Sequence, residues 1–194
     1  MAFGDCRRIH IGSSHRWSLI TGVLDTPSEK GLRMQPLLDR ILTFNLVATT
    51  VVFYGAARIY LLPRLAELRP RSVLLPILLL HSLRHLGLMF LTDGAIYPGM
   101  PPQFANPAAV GDLITALLAF ASIPAVANDR ATGRPLVWVF NIFGTLDLLL
   151  AIALATIYEA PLYMGPAYWI PAFWVPALLV THYITFIILR KHWV

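Results

Sequence analysis

Charge is scarce in this chain: 13% of its 194 residues are Asp, Glu, Lys or Arg, against about 25% in an ordinary soluble domain. With 57% hydrophobic residues, a soluble globule of this size could not hide its apolar surface. Intrinsic disorder needs the opposite balance, low hydrophobicity with high net charge. Cysteine occurs once, at Cys6, which rules out an internal disulfide framework and a cysteine-rich zinc site. Lys and Arg are missing from residues 94–107 and 159–170. The strict alternation of a lipid-facing β-barrel is also missing, because the apolar runs are continuous. A Gly-x-x-x-Gly pair occurs in no apolar run, and no internal repeat of the transporter kind is visible.

What is there is a polytopic membrane protein. A spanning helix needs about 20 mostly apolar residues. Five stretches meet that length, at about 41–62, 73–93, 108–127, 136–158 and 171–190. The expected fold is an all-α bundle of five transmembrane helices over residues 37–194, preceded by a polar N-terminal tail over 1–36. The tail carries Arg7, Arg8, His10, His15, Arg16 and Lys30 without the apolar core of a secretory signal. Cys6 reads as an incidental thiol there, and Met34 is an alternative start of translation.

Lys and Arg flanking the spans set orientation. Arg58, Arg64, Arg69, Arg71, Arg130, Arg134, Arg190 and Lys191 fall on one side, against Lys30, Arg33 and Arg40 on the other. That asymmetry predicts an outside N-terminus and a cytoplasmic C-terminus. The net charge of +5 is then a topology signal, not a nucleic-acid patch, so the expected partner is the lipid bilayer. The two loops without Lys or Arg are rich in Pro, Tyr and Trp. They suit either an interfacial aromatic belt or a lid over the mouth of the bundle.

The residues that carry chemistry are those that do not belong in hydrocarbon. The second span holds His81, Arg84 and His85, with the two histidines four apart on one α-helical face. The fourth holds Asn141, Thr145 and Asp147, the fifth Thr181 and His182. Asp112 in the third reads either as a first-turn carboxylate favoured by the helix dipole or as part of the access side of a site. Three spans thus place ionisable groups at one depth. An unpaired Arg or Asp there costs about 2.5–3.5 kcal/mol on insertion scales. The expectation is that Arg84 pairs with Asp147, with His85 and His182 close by. Asn141, Thr145 and Thr181 would add hydrogen bonds, and Gly87 and Gly144 would allow close approach. Ligand binding is expected at His81, Arg84, His85, Asp112, Asn141, Thr145, Asp147 and His182.

Several functions suit this cluster. A non-catalytic site that binds or relays a proton or small ligand comes first, because such residues mark proton relays and ion paths. A purely register-fixing ion pair is the bland alternative, and a structural subunit of a larger membrane complex, or a homo-oligomer, is another. A b-type haem held by His81 or His85 with His182 is a third. Ligands on spans two and five resemble the membrane cytochrome subunit of respiratory nitrate reductases. That family uses two widely spaced histidine pairs, whereas His81 and His85 are only four apart, so at most one haem would fit. A metal-dependent hydrolase using the histidines, Asp147 and Ser82 is similar in residue types to the alkaline ceramidase and adiponectin-receptor superfamily. That superfamily has seven spans and a serine four before a histidine, whereas Ser82 is three before His85.

Four segments carry a resemblance over about residues 37–190. They are Arg84-His85-Leu86-Gly87-Leu88, Phe104 to Leu113, Phe140 to Leu148 and Val175 to His182. Together they resemble an uncharacterised family of small five-span bacterial integral membrane proteins. The resemblance implies a bacterial inner-membrane location and brings no activity.

Overall fold

The computed structural model describes residues 29–193; residues 1–28 of the expected 1–36 tail, Cys6 included, lie outside the described residues. The architecture is all-α, with no strand among the described residues. Five helical segments are long and apolar enough to cross a membrane: Arg40–Arg64, Pro70–Leu91, Pro102–Ala127, Gly133–Ile157 and Gly165–His192.

Helix α1 (Glu29–Ala56) begins before the expected boundary at 37 and ends in a π turn (Ala57–Leu61) and a 3-10 turn at Pro63. It lies at the periphery against α5, with Phe44, Val47, Val51 and Val52 exposed. Helix α2 (Pro70–Ser82) starts on a proline, which costs nothing in the first turn because that N–H has no helical partner. Helix α3 (Pro102–Ala127) starts the same way, six residues before the expected Ala108. Ala108, Gly111, Thr115, Ala119, Ser122 and Val126 are buried along it at three-and-four spacing. These are mostly small side chains, which let neighbouring backbones approach closely. Accordingly α3 is the central element, packed on α2, on the segment after α2 and on α4. Helix α4 (Gly133–Ile157) buries Val137, Phe140, Asn141, Gly144, Asp147 and Leu148 on one face. Helix α5 (Val175–Ile187) follows a π segment (Ile170–Trp174) and buries Leu178, His182 and Thr185.

The two ends of the bundle differ. At the arginine-rich end, Arg71 pairs with Asp129 at 3.0 Å and Arg134 donates to the Leu189 carbonyl at 3.2 Å. At the opposite end the two proline- and aromatic-rich loops are tied together. Tyr97 N–H donates to Tyr163 O at 2.8 Å, and Ala167 N–H to Ala95 O at 2.9 Å. Ala160, Met164 and Ala167 are buried beneath, while Tyr97 and Trp169 stay exposed at the rim. The loops therefore close this end of the bundle. Asn45 of α1 reaches them, donating to the Tyr168 hydroxyl at 3.2 Å.

One departure from ordinary helix geometry decides the site. After Ser82 the second span tightens into a 3-10 helix over Leu83–Leu91, far longer than the three or four residues usual for such turns. With three residues per turn, His81, Arg84, Gly87 and Phe90 line up, and all four are buried. The expected α-helical alignment of His81 with His85 is lost. His85 turns outward and is exposed, its Nδ1 3.0 Å from the Ser82 carbonyl of its own segment. His85→Ala should therefore shift the unfolding temperature in detergent little. His81→Ala, which empties a buried position, should cost about 2–5 kcal/mol, as large-to-small core changes do.

Candidate functional site

Arg84 projects from the 3-10 segment into the bundle, wholly buried, and meets groups from three other helices. Its Nε donates to Asp112 Oδ1 on α3 at 2.6 Å, and its Nη2 to Asp147 Oδ2 on α4 at 2.5 Å. Nε and Nη2 point along one edge of the planar guanidinium, so both carboxylates are drawn to the same side. Nη1 donates to the Gly144 carbonyl at 3.1 Å and faces His182 Nε2 at 3.4 Å.

The hydrogen bonds fix the histidine tautomers. Asn141 Nδ2 donates to the His182 carbonyl at 3.3 Å, so its Oδ1, 2.7 Å from His182 Nδ1, accepts. His182 Nδ1 therefore carries the proton and Nε2 offers a lone pair to Arg84; the ring is neutral. Thr181 spends its hydroxyl proton on carbonyls one turn back, so its Oγ1 accepts from His81 Nε2 at 2.9 Å. That leaves the Nδ1 lone pair of His81 buried without a partner among the described residues. The His81 and His182 rings lie 4.3 Å apart by centroid, with Phe140 against both.

Room for these groups comes from glycine. A Cβ on Gly87 would stand 2.7 Å from Asp112 Cβ, one on Gly111 2.5 Å from Asp147 Cγ, and one on Gly144 2.7 Å from His182 Cε1. Each spanning segment thus opens a notch for a polar side chain of the next, from the second span through to the fifth. Gly87 and Gly144 were expected to give close approach; Gly111 was not. The pattern was visible as a glycine within one turn of each charged residue: Gly87 after Arg84, Gly111 before Asp112, Gly144 before Asp147.

The expected pair of Arg84 with Asp147 is present, with His182, Asn141 and His81 around it. Three placements differ from expectation. His85 is outside the cluster, for the winding reason given above. Thr145 is half-buried and donates to the Asn141 carbonyl of its own helix at 2.6 Å, not to the cluster. Asp112 is not a first-turn carboxylate, since α3 starts ten residues earlier, at Pro102; it is the second anion of the Arg84 pair.

The haem expectation meets poor geometry. His85 faces away, both nitrogens of His182 are engaged, and the His81 and His182 rings, tilted at 56° with centroids 4.3 Å apart, leave no slot for a porphyrin between them. Among the described residues no three His, Cys, Asp or Glu side chains converge as metal ligands.

Asp112 also lines a cavity of about 290 Å³. Its walls are Leu42 and Leu46 of α1, Phe90, Phe104, Leu148 and Met164, so it lies between the cluster and the joined loops.

Helices of this length and hydropathy around a buried charged cluster define a multi-pass helical membrane protein. The chain belongs to the family described as domain of unknown function DUF8737, whose profile matches residues 41–190. No curated protein and no solved structure matches the chain.

Gly111→Ala should destabilise the bundle by about 1–3 kcal/mol through overpacking, whereas Gly55→Ala, with open space around it, should be neutral or mildly stabilising. Arg84→Gln should cost about 3–5 kcal/mol, because it strands buried carboxylates. Combined with Asp147→Asn it should cost less than the sum of the two, a coupling readable by denaturation of the double mutant in detergent.

Proposed function

We propose that the buried cluster binds an exchangeable proton, shared between Asp112 and Asp147. The single observation that carries this is charge imbalance: one guanidinium faces two carboxylates inside the membrane-spanning bundle. His182 is tied up as a neutral ring by its hydrogen bonds to Asn141 and Arg84, and His81, wholly buried, has no carboxylate in contact among the described residues to hold a second positive charge. With both aspartates ionised the cluster would hold one uncompensated negative charge at low dielectric, a state that burial penalises heavily. One proton removes it. Two carboxylates drawn to one edge of a guanidinium are a fitting place for that proton, since like charges held close do not both ionise readily. The side chain of Asp112 keeps 14% exposure toward the cavity, which gives the proton a way in. The unpartnered Nδ1 of His81 is a second acceptor deeper in the bundle, suited to a relay.

The orientation follows from the arginine-rich end. Eight Lys and Arg near one side against three near the other favour that end, with the C-terminus, in the cytoplasm and the N-terminus outside. A bacterial inner membrane is the location that the resemblance over residues 37–190 supports. The joined loops and the cavity then lie on the outer side.

Infrared difference spectra of the protein in lipid should show the C=O band of a protonated carboxylic acid at neutral pH, lost in either Asp112→Asn or Asp147→Asn. A wild-type protein with no such band between pH 5 and pH 9 would overturn the proton site. In a Cys6→Ser background, a membrane-impermeant thiol reagent applied to whole cells should label Gln103→Cys and spare Ala131→Cys.

A further inference from the structure

The cavity beside the cluster has a composition that names a ligand class. Its walls come from α1, the 3-10 segment, α3, α4 and the segments before α5, and they are apolar apart from Thr43, Thr156 and Asp112. Asp112 is the one ionisable residue among the described residues lining it. Its Oδ1 is taken by Arg84, and its Oδ2 accepts no hydrogen bond among the described residues. At about 290 Å³ the cavity sits near the lower bound of small-molecule sites, about 300–1,000 Å³.

We infer that this cavity binds a lipophilic ammonium ion, an apolar body carrying one protonated amine, and that the bound cation replaces the cluster's proton. This rests on the proton reading above, because the same excess negative charge drives both. The apolar walls favour a hydrophobic body by area burial. An anion would face Asp112 and Asp147 with only Arg84 to meet it, and Arg84 is already engaged by both. A neutral ligand would leave the charge imbalance as it was. An N–H⁺ group donates to Asp112 Oδ2 and cancels the extra charge, so the proton formerly on the carboxyl pair leaves to water. The reaction is balanced: one ammonium ion bound, one proton released. The charged and titratable groups that face Asp112 are Arg84 from the 3-10 segment, Asp147 from α4 and, through Arg84, His182 from α5. From α1 the cavity receives only Leu42, Thr43 and Leu46. Binding should therefore strengthen with rising pH, up to about tenfold per unit while one proton is exchanged.

The test uses the full chain in lipid nanodiscs and isothermal titration calorimetry at pH 7. The probe is N,N-dimethyl-1-naphthylmethylamine, and 1-isobutylnaphthalene is its uncharged isostere. The expected result is saturable binding of the amine with one proton released, read from buffers of different ionisation enthalpy. The hydrocarbon should bind about tenfold more weakly or worse. Asp112→Asn should abolish amine binding. Because that change also touches Arg84, Ala155→Phe, two turns along α4 from Asp147, provides a second arm. It fills the cavity away from the charges, and should block the amine while the carboxylic acid band persists. Equal binding of amine and hydrocarbon, amine binding without proton release, or no binding of the amine would each overturn the inference. If the band is present and the amine does not bind, the exchange fails and the proton site stands. If the band is absent, the proton site has failed as well.

Discussion

A guanidinium in the middle of a membrane-spanning bundle has to be neutralised and to have its N–H groups met, and Arg84 imposes that demand on everything near it. Four contacts answer it, from Asp112, Asp147, the Gly144 carbonyl and His182. They come from α3, α4 and α5, so a single side chain fixes the rotation and depth of three helices relative to the second span. Hydrocarbon offers no competing partner, and water cannot take over when a helix rotates away. Register is therefore specified by hydrogen bonding and charge more than by the shapes of the many Leu, Ile and Val residues, which are nearly interchangeable against lipid.

The same demand explains two features that would otherwise look like blemishes. Glycine weakens a helix interior, yet Gly87, Gly111 and Gly144 sit in consecutive spans. They are tolerated because Asp112, Asp147 and His182 occupy the space where their side chains would be. A nine-residue 3-10 run has poorer hydrogen-bond geometry than an α-helix. Its three-residue repeat keeps Arg84, Gly87 and Phe90 pointing inward through the depth at which α3 packs against them. Local backbone preference gives way to an interaction that no other arrangement satisfies.

The cavity and the cluster form one unit because Asp112 belongs to both. On one side its carboxylate binds Arg84; on the other it faces the apolar space beneath the joined loops. The DUF8737 match covers residues 41–190, the stretch that holds both cavity and cluster, and assigns no chemistry. The site itself sets two carboxylates against one guanidinium, and it is on this imbalance that the proposed affinity for a proton or a cation rests.

Span number and helical class were legible in the sequence, because a bilayer sets a length and a hydropathy that five stretches meet on their own. So was the pairing of Arg84 with Asp147, since lone charges at a common depth must find one another. His85 shows where reading by periodicity stopped: its place depended on the second span being α-helical, whereas the part packed on α3 is wound as 3-10. Asp112 shows the same limit, because the start of α3 at Pro102 is what turned a first-turn carboxylate into a second ligand of Arg84. Composition and spacing thus determined which residues must leave the lipid. Tertiary structure alone decided which of them meet, because partner choice depends on helix winding, helix ends and the notches that glycines open between neighbouring backbones.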